Sequence, residues 1–337
     1  MSVKPPRIHG GPDGLGVPLH DFSTNSNACG PCPVALAAVQ QADATRYPDA
    51  GYTALRARLA AFHGVDESRV LLAASASEFI FRITALAAGQ GARAVWLPPL
   101  SYGDYAQAAD AHRLARVNEP GDAQLLWACE PSSPLGSAQA GLAALADSRP
   151  AQTLLVLDCA YEPLRLSAAP TLTPQQLNTT WQLWTPNKAL GLTGVRAAYA
   201  IAPLDQEDAA AALEQRCPSW PVGAHGEAML MAWVAPETQD WLAGSLKTLR
   251  EWKARQITVC ESLGWRCLPS EANFFCAQPA LPESLGLQEA LAALRAQVIK
   301  LRDTTSFGLP GHVRLGVQPP AVQDALHNAW QQLLETR

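Results

Sequence analysis

The sequence predicts an α/β protein built on a mostly parallel sheet, followed by a smaller α+β region. Three observations predict it. Between residues 70 and 202, short apolar runs alternate with stretches patterned as helices. Each apolar run stops at small or polar turn residues, the punctuation of strand–helix units. Beyond about residue 205 helical patterns dominate and the alternation fades.

Length and charge narrow the class. A chain of 337 residues accommodates one large domain or two modest ones. A net charge of −5, with no Lys/Arg-rich run, argues against nucleic-acid binding. No apolar run approaches the ~20 residues of a membrane span. Residues 1–12 lack the apolar core of a secretory signal, so the expected compartment is the cytoplasm. Eight cysteines in a chain this long do not make a disulfide framework.

The elements follow in order. Residues 1–30, rich in Gly, Pro, Asn and Ser, read as an extended arm with a turn at His9-Gly10-Gly11. Gly11 to Gly16 echoes a nucleotide fingerprint, but no strand leads into it. Cys29-Gly30-Pro31-Cys32 has the spacing of a thioredoxin-type motif before a helix at 33–41. No strand precedes it, so a turn with incidental thiols is the favoured reading over a redox one. Zinc binding lacks a second Cys or His pair at the right spacing. A helix at 52–63 gathers Leu55, Leu59 and Phe62 on one face.

A strand at 70–74 leads to Ser75-Ala76-Ser77-Glu78, which opens a helix at 79–88. That turn reads both as a Ser/Glu cap and as an anion site with free amides. A strand at 94–97 precedes a helix ending at 111, and a strand at 125–129 precedes a helix at 139–147. A strand at 153–157 ends in Asp158-Cys159-Ala160-Tyr161; one at 182–184 ends at the Lys188 turn; one at 197–202 completes the sheet. A long helix at 239–263, strands at 274–277 and 313–317, and helices at 287–297 and 321–334 form the remainder.

Ligands of such sheets bind beyond the carboxyl ends of the strands. Ser75, Tyr102, Ser133, Asp158, Tyr161 and Lys188 all fall there. Lys188 sits on a turn between two buried strands, with Arg196 eight residues on. Burial disfavours the charged form of a lysine, and a neutral amine attacks aldehydes. Arg196 can clamp a phosphate bidentately. An aldehyde that carries a phosphate is pyridoxal phosphate; the alternative is an ordinary surface lysine. Asp158 can hold a pyridine nitrogen protonated, or simply cap a helix. Tyr161 can bind the ring's phenolic oxygen, or pack in the core. Tyr102 can stack on the ring face.

With these residues the chain resembles the fold-type I pyridoxal-phosphate-dependent transferases, the aspartate aminotransferase superfamily of class I and II. The resemblance rests on Asp158-Cys159-Ala160-Tyr161, on Thr185-Pro186-Asn187-Lys188 with Gly194-Val195-Arg196, and on Val313-Arg314-Leu315. It runs nearly end to end. Within the superfamily the chain is most similar to histidinol-phosphate aminotransferase and L-threonine-O-3-phosphate decarboxylase of cobalamin biosynthesis. His9-Gly10-Gly11, Asp21-Phe22-Ser23 with Asn25 and Asn27, Tyr47-Pro48-Asp49, and Leu301-Arg302-Asp303 with Ser306-Phe307 favour the decarboxylase.

The resemblance implies that Lys188 carries the cofactor, Asp158 pairs with its ring nitrogen and Tyr161 with its phenolic oxygen. It implies that Tyr102 stacks on the ring, and that Ala76, Ser77, Thr185 and Arg196 hold the phosphate. Tyr47 would reach the cofactor of the other subunit of a homodimer. Arg314 would bind a substrate carboxylate, with Arg302, His9 and Gly10 as candidates for a substrate phosphate. Three departures stand out. Ser133 occupies the position of the family's usual Asn, Asn187 precedes the Lys where Ser or Thr is common, and Ser75-Ala76-Ser77 lacks the usual Gly. The implied organisation is an arm (1–30) joining the small domain, a large cofactor domain (31–222) and a small domain (223–337). The implied activity is decarboxylation of threonine phosphate to aminopropan-2-yl phosphate. An aminotransferase of the histidinol-phosphate type, or a non-catalytic protein that keeps the fold, are the alternatives.

Overall fold

The structure is a computed structural model and describes residues 9–204 and 206–335. Its centre is a seven-stranded sheet. In spatial order the strands are Val70–Ala73, Ala198–Ile201, Trp181–Trp184, Leu154–Asp158, Leu125–Cys129, Ala94–Trp96 and Ala115–Val117. Only Ala198–Ile201 runs antiparallel to its neighbours. Four of the strands, Val70–Ala73, Leu125–Cys129, Leu154–Asp158 and Ala198–Ile201, are buried along their whole length. That is why they are written as unbroken apolar runs.

The edge strand Ala115–Val117 is largely exposed and carries an arginine at its centre, so nothing in its pattern marks it as a strand. The helix expected from residue 139 begins instead at Leu142 and runs to Ser148. Gly141 takes a left-handed conformation in front of it, and the Gln139 side chain accepts the Cys129 N–H at 2.9 Å.

Helices Ala76–Gly89, Gly103–Ala111 and Glu207–Gln215 pack on one face of the sheet around Phe79, Ile83, Tyr105, Trp127 and Trp181. Helix Pro236–Ser262 is 27 residues long, starts on a proline and buries a stripe through Leu242, Leu249 and Cys260. A second, antiparallel sheet has the order Arg302–Asp303, Val313–Gly316, Phe274–Gln278, Arg266–Cys267. Among the described residues no helix is long and apolar enough to cross a membrane. All eight cysteines are free, and the Cys32 thiol lies buried ahead of helix Pro33–Gln40.

The N-terminal arm ties the two sheets together. Its strand His20–Asp21 pairs in parallel with Ile299–Lys300. Phe22 is fully buried, and its carbonyl accepts the Gly316 N–H at 2.7 Å. Five residues on, the Asn27 N–H donates to the Lys188 carbonyl at 2.9 Å. The polar run 23–27 is therefore interior, since Ser23, Asn25 and Asn27 are all buried.

The Lys188 turn is held closely from that side. Gly191 has φ +69, and a Cβ there would lie 2.7 Å from the Gly30 carbonyl oxygen and 2.9 Å from the Pro31 Cα. Neither backbone atom can swing away. Gly191→Ala should therefore destabilise the fold by about 1–3 kcal/mol, the scale of a non-Gly residue held in a sparsely populated backbone region. Unfolding in denaturant reads it, and an unchanged midpoint would show that this contact is not a constraint.

Candidate active site

A cavity of about 940 Å³ opens beyond the carboxyl ends of the large sheet. The sheet side contributes Ser133, Asp158, Tyr161, Thr185 and Lys188; the arm contributes His9, Gly10 and Asn25; the second sheet contributes Arg302 and Arg314. Ala76, Ser77, Tyr102 and Arg196 complete the wall. The expected site residues thus converge, Tyr47 excepted. Tyr47 lies outside this cavity, 78% exposed, with its ring stacked on Trp220 at 4.4 Å.

Asp158 ends its strand at the cavity floor. Its Oδ2 accepts the Tyr105 hydroxyl at 2.6 Å and its Oδ1 accepts the Ala160 N–H at 2.9 Å. Burial pushes its carboxyl pKa up, against the opposing pull of Tyr105 and the Lys188 charge. The Lys188 Nζ stands 5.0 Å from the centre of the Tyr161 ring. The Tyr161 hydroxyl accepts from Asn25 Nδ2 at 3.3 Å, while Asn25 Oδ1 finds no partner among the described residues.

Ser75 caps helix Ala76–Gly89, whose first residues line the cavity, by accepting the Glu78 N–H at 3.1 Å. The N–H groups of Ala76 and Ser77 have no hydrogen-bond partner among the described residues. Unused amides at a helix N-terminus attract an anion. The Ser77 and Tyr102 hydroxyls lie 3.4 Å apart, and burial raises the Tyr102 pKa above its ordinary value. Thr185 Oγ1 donates to Asn187 Oδ1 at 2.9 Å, and exposed Arg196 stands at the rim.

The second sheet supplies a cationic wall. Arg302 and Arg314 are cross-strand partners, so both side chains leave the sheet on the same face. Their guanidiniums lie 4.9 and 5.5 Å from the centre of the Phe307 ring. Both are buried. Burial, and then the Arg314 charge, pull Arg302 down to about 10, so it remains protonated at neutral pH. Arg314 donates to Ser133 Oγ at 3.3 Å and to the Ser23 carbonyl at 3.1 Å, and its Nε has no acceptor among the described residues. Ser133 is thus engaged with Arg314, and the side-chain amide at the Tyr161 hydroxyl comes from Asn25. At the mouth, the His9 ring lies 6.4 Å from the Tyr102 ring. Gly10 presses so closely on the arm that a Cβ would meet the Ser23 carbonyl oxygen at 2.1 Å.

Three contributors escaped the sequence reading as site residues. Tyr105 lies one helical turn beyond Tyr102, where the only sequence signal was that i, i+3 spacing. Asn25 belongs to the polar arm and enters the sequence reading only as part of a motif, with no role assigned to it. Phe307 has no distinguishing sequence signal, and its contact with both arginines is visible only in the fold.

The model for the family "Aminotransferase class I and II" matches residues 17–120 and 112–331. The chain belongs to the class I and II aminotransferase family. It is similar to the histidinol-phosphate aminotransferase of Haloquadratum walsbyi, at 30% identity over 88% of this chain and 81% of that one. It is similar to that of Jannaschia sp. at 27% identity, over 89% and 87%. Among solved structures, the histidinol-phosphate aminotransferase of Sinorhizobium meliloti in complex with pyridoxal-5′-phosphate superposes with TM-score 0.78 at 22% identity, over 93% and 90%. L-threonine-O-3-phosphate decarboxylase of Porphyromonas gingivalis superposes with TM-score 0.77 at 20% identity, over 93% and 99%.

These findings correct one expectation. The decarboxylase shares the fold, but the curated relatives at 26–30% identity over most of the chain are histidinol-phosphate aminotransferases. The decarboxylase reading, and with it a place in cobalamin biosynthesis, gives way to the aminotransferase. The arm and Arg302 motifs that suggested it imply a phosphorylated substrate, which the names of both enzymes carry, and so did not discriminate.

The aminotransferase cofactor is pyridoxal phosphate, and the donor set fits it. A buried carboxylate suits a protonated ring nitrogen, unused helix N-terminal amides suit a phosphate, and a lysine lines the same cavity.

Proposed function

We propose that the protein is a pyridoxal-phosphate-dependent aminotransferase that exchanges an amino group between a phosphorylated amine of the histidinol-phosphate kind and a 2-oxo acid. One observation carries the substrate class: two cross-strand arginines, Arg302 and Arg314, face the same cavity as Lys188. Arg314 forms no ion pair among the described residues, so an incoming anion meets an uncompensated charge. A site that must accept both a phosphate and a carboxylate suits such a pair. The names of the curated relatives support the same class.

In this reading Lys188 carries the cofactor, Asp158 holds its ring nitrogen, and Tyr161 with Asn25 holds its phenolic oxygen. Tyr102 covers the ring, while Ser77, Thr185, Arg196 and the Ala76 and Ser77 amides hold the phosphate. The bound cofactor supplies an electron sink for a carbanion at the substrate Cα. Lys188 Nζ takes and returns the Cα proton, and Arg302 and Arg314 fix the substrate so that this C–H faces the lysine. Phe307 keeps water from the two guanidiniums. Incubating the loaded protein with histidinol phosphate and 2-oxoglutarate should yield glutamate; none above a Lys188→Ala control would overturn the proposal.

Asp158→Asn should leave the protein folded but bind the cofactor more weakly by about 1.5–3 kcal/mol, the scale of a hydrogen bond to a charged group. Titrating the cofactor-free variant with pyridoxal phosphate measures this. A lower melting temperature with unchanged affinity would mean that Asp158 only caps its turn. The reading also includes a homodimer. Its support is Tyr47, exposed beside Trp220 and outside its own chain's cavity. Light scattering should give twice the chain mass, and a monomer with full cofactor affinity would refute it. The arm (1–30), large part (31–222) and small part (223–337) are part of the same proposal, supported by the arm strand's pairing with Ile299–Lys300.

A further inference from the structure

Asp158 is a buried charge on the cavity wall, with few groups around it. The ionisable groups around it are the Lys188 amine, the Asp104 carboxyl, the Tyr105 phenol and the thiols of Cys129 and Cys159. Burial holds both thiols well above their ordinary values, so they stay neutral. Among the described residues only two groups donate to the carboxylate, the Ala160 N–H and the Tyr105 hydroxyl.

Tyr105 has little freedom to do anything else. Its ring is buried, stacked on Trp127 at 4.5 Å and 11°, with the Tyr102 ring edge-on at 5.8 Å. Burial, reinforced by the Asp158 charge, holds its hydroxyl well above the ordinary tyrosine value. The phenol therefore stays protonated and always donates.

We propose that Tyr105 is the positioning residue for Asp158, its stacked phenol donating to Oδ2 so that the buried carboxyl is fixed and ionised for the cofactor's ring nitrogen. The proposal rests on the assignment of Asp158 to that nitrogen. It also gives the first turn of helix Gly103–Ala111 two tasks, with Tyr102 over the ring and Tyr105 on the carboxylate one turn on.

The sign of the effect is fixed. The Tyr105 hydrogen bond lowers the Asp158 pKa against the raising effect of burial. Removing it raises that pKa, so Asp158 loses its charge at a higher pH as the solution is acidified. Tyr105→Phe, made in the full chain, removes one oxygen and keeps the stack on Trp127. It should bind pyridoxal phosphate about tenfold more weakly, the scale of one charge-assisted hydrogen bond. The acid limb of cofactor retention, followed by visible absorbance, should move up by about one pH unit.

A lowered melting temperature with affinity and acid limb both unchanged would show a purely structural tyrosine and overturn the proposal. Site-specific 3-fluorotyrosine at position 105 keeps the hydroxyl and makes it a stronger donor, so the acid limb should move down; no movement would likewise overturn it. This second replacement decides the matter even if Tyr105→Phe fails to fold. In an Asp158→Asn background, Tyr105→Phe should change affinity by less than twofold. If Asp158→Asn alone leaves affinity and acid limb at wild-type values, the Asp158 assignment itself fails. A strong Asp158→Asn effect beside a silent Tyr105→Phe would remove Tyr105 alone.

Discussion

Lys188→Ala should give a folded protein that shows no visible cofactor band after desalting, with turnover lowered roughly 10³-fold or more. The loss combines covalent attachment with general acid–base catalysis, which alone is worth about 10²–10⁴-fold. The fold should survive because the neighbouring structure uses the lysine's backbone. Its carbonyl accepts from Asn27 and Gly191, bonds that alanine retains, and its ammonium forms no ion pair among the described residues. The competing amine is Lys253, which burial pulls down to about 8. Its Nζ, however, donates to the Ser270 and Ala272 carbonyls at 2.5 and 2.8 Å and is absent from the cavity wall. Borohydride reduction of the loaded protein followed by peptide mapping should tag Lys188. A tag on Lys253 or Lys247 would refute the assignment.

The two arginines should separate the two half-reactions. Arg302→Ala should weaken the phosphorylated amine by about 2–5 kcal/mol, the range for truncating one partner of a buried charge pair. That is roughly 30-fold to several-thousand-fold, at 1.4 kcal/mol per tenfold. The cofactor band should not change, because Arg302 belongs to the second sheet and not to the Lys188 turn, and it donates to Ser306 Oγ at 2.8 Å. Arg314→Ala should bear chiefly on the carboxylate-bearing 2-oxo acid. Single-turnover rates with each substrate separately give both numbers. Equal losses for both substrates in both variants would show that the pair acts as one undivided anion site.

The large sheet was legible because burial and sequence agree there. The run Leu125–Cys129 was read to the residue, since every side chain in it is interior and apolar. The Lys188 turn was legible for the complementary reason, a lone cation between two such runs. Strands Arg266–Cys267, Ile299–Lys300 and Arg302–Asp303 span two residues each, too short for any periodicity to register. The arm misled in another way. Ser23, Asn25 and Asn27 are polar and look solvated, yet the groups that satisfy them include the Lys188 turn and the strand carrying Arg314, both remote in sequence. Tyr105 was unreadable because a buried aromatic on a helix is ordinary, and only its 2.6 Å contact distinguishes it.

The pairing of His20–Asp21 with Ile299–Lys300 has a consequence for how the protein is made. The strands of the large sheet all lie between Val70 and Ile201, so they can assemble while the ribosome is still translating the rest. The segment around Phe22 leaves the exit tunnel before those strands but cannot dock until residues 299–316 have followed. Until then Phe22 has no burial partner and the cavity lacks its Arg302 and Arg314 wall. A growing chain halted after residue 201 thus has the Lys188 floor and no means of gripping an anionic substrate. Selectivity forms after the Lys188 floor, and until it does the exposed Phe22 segment is a stretch on which a chaperone can act.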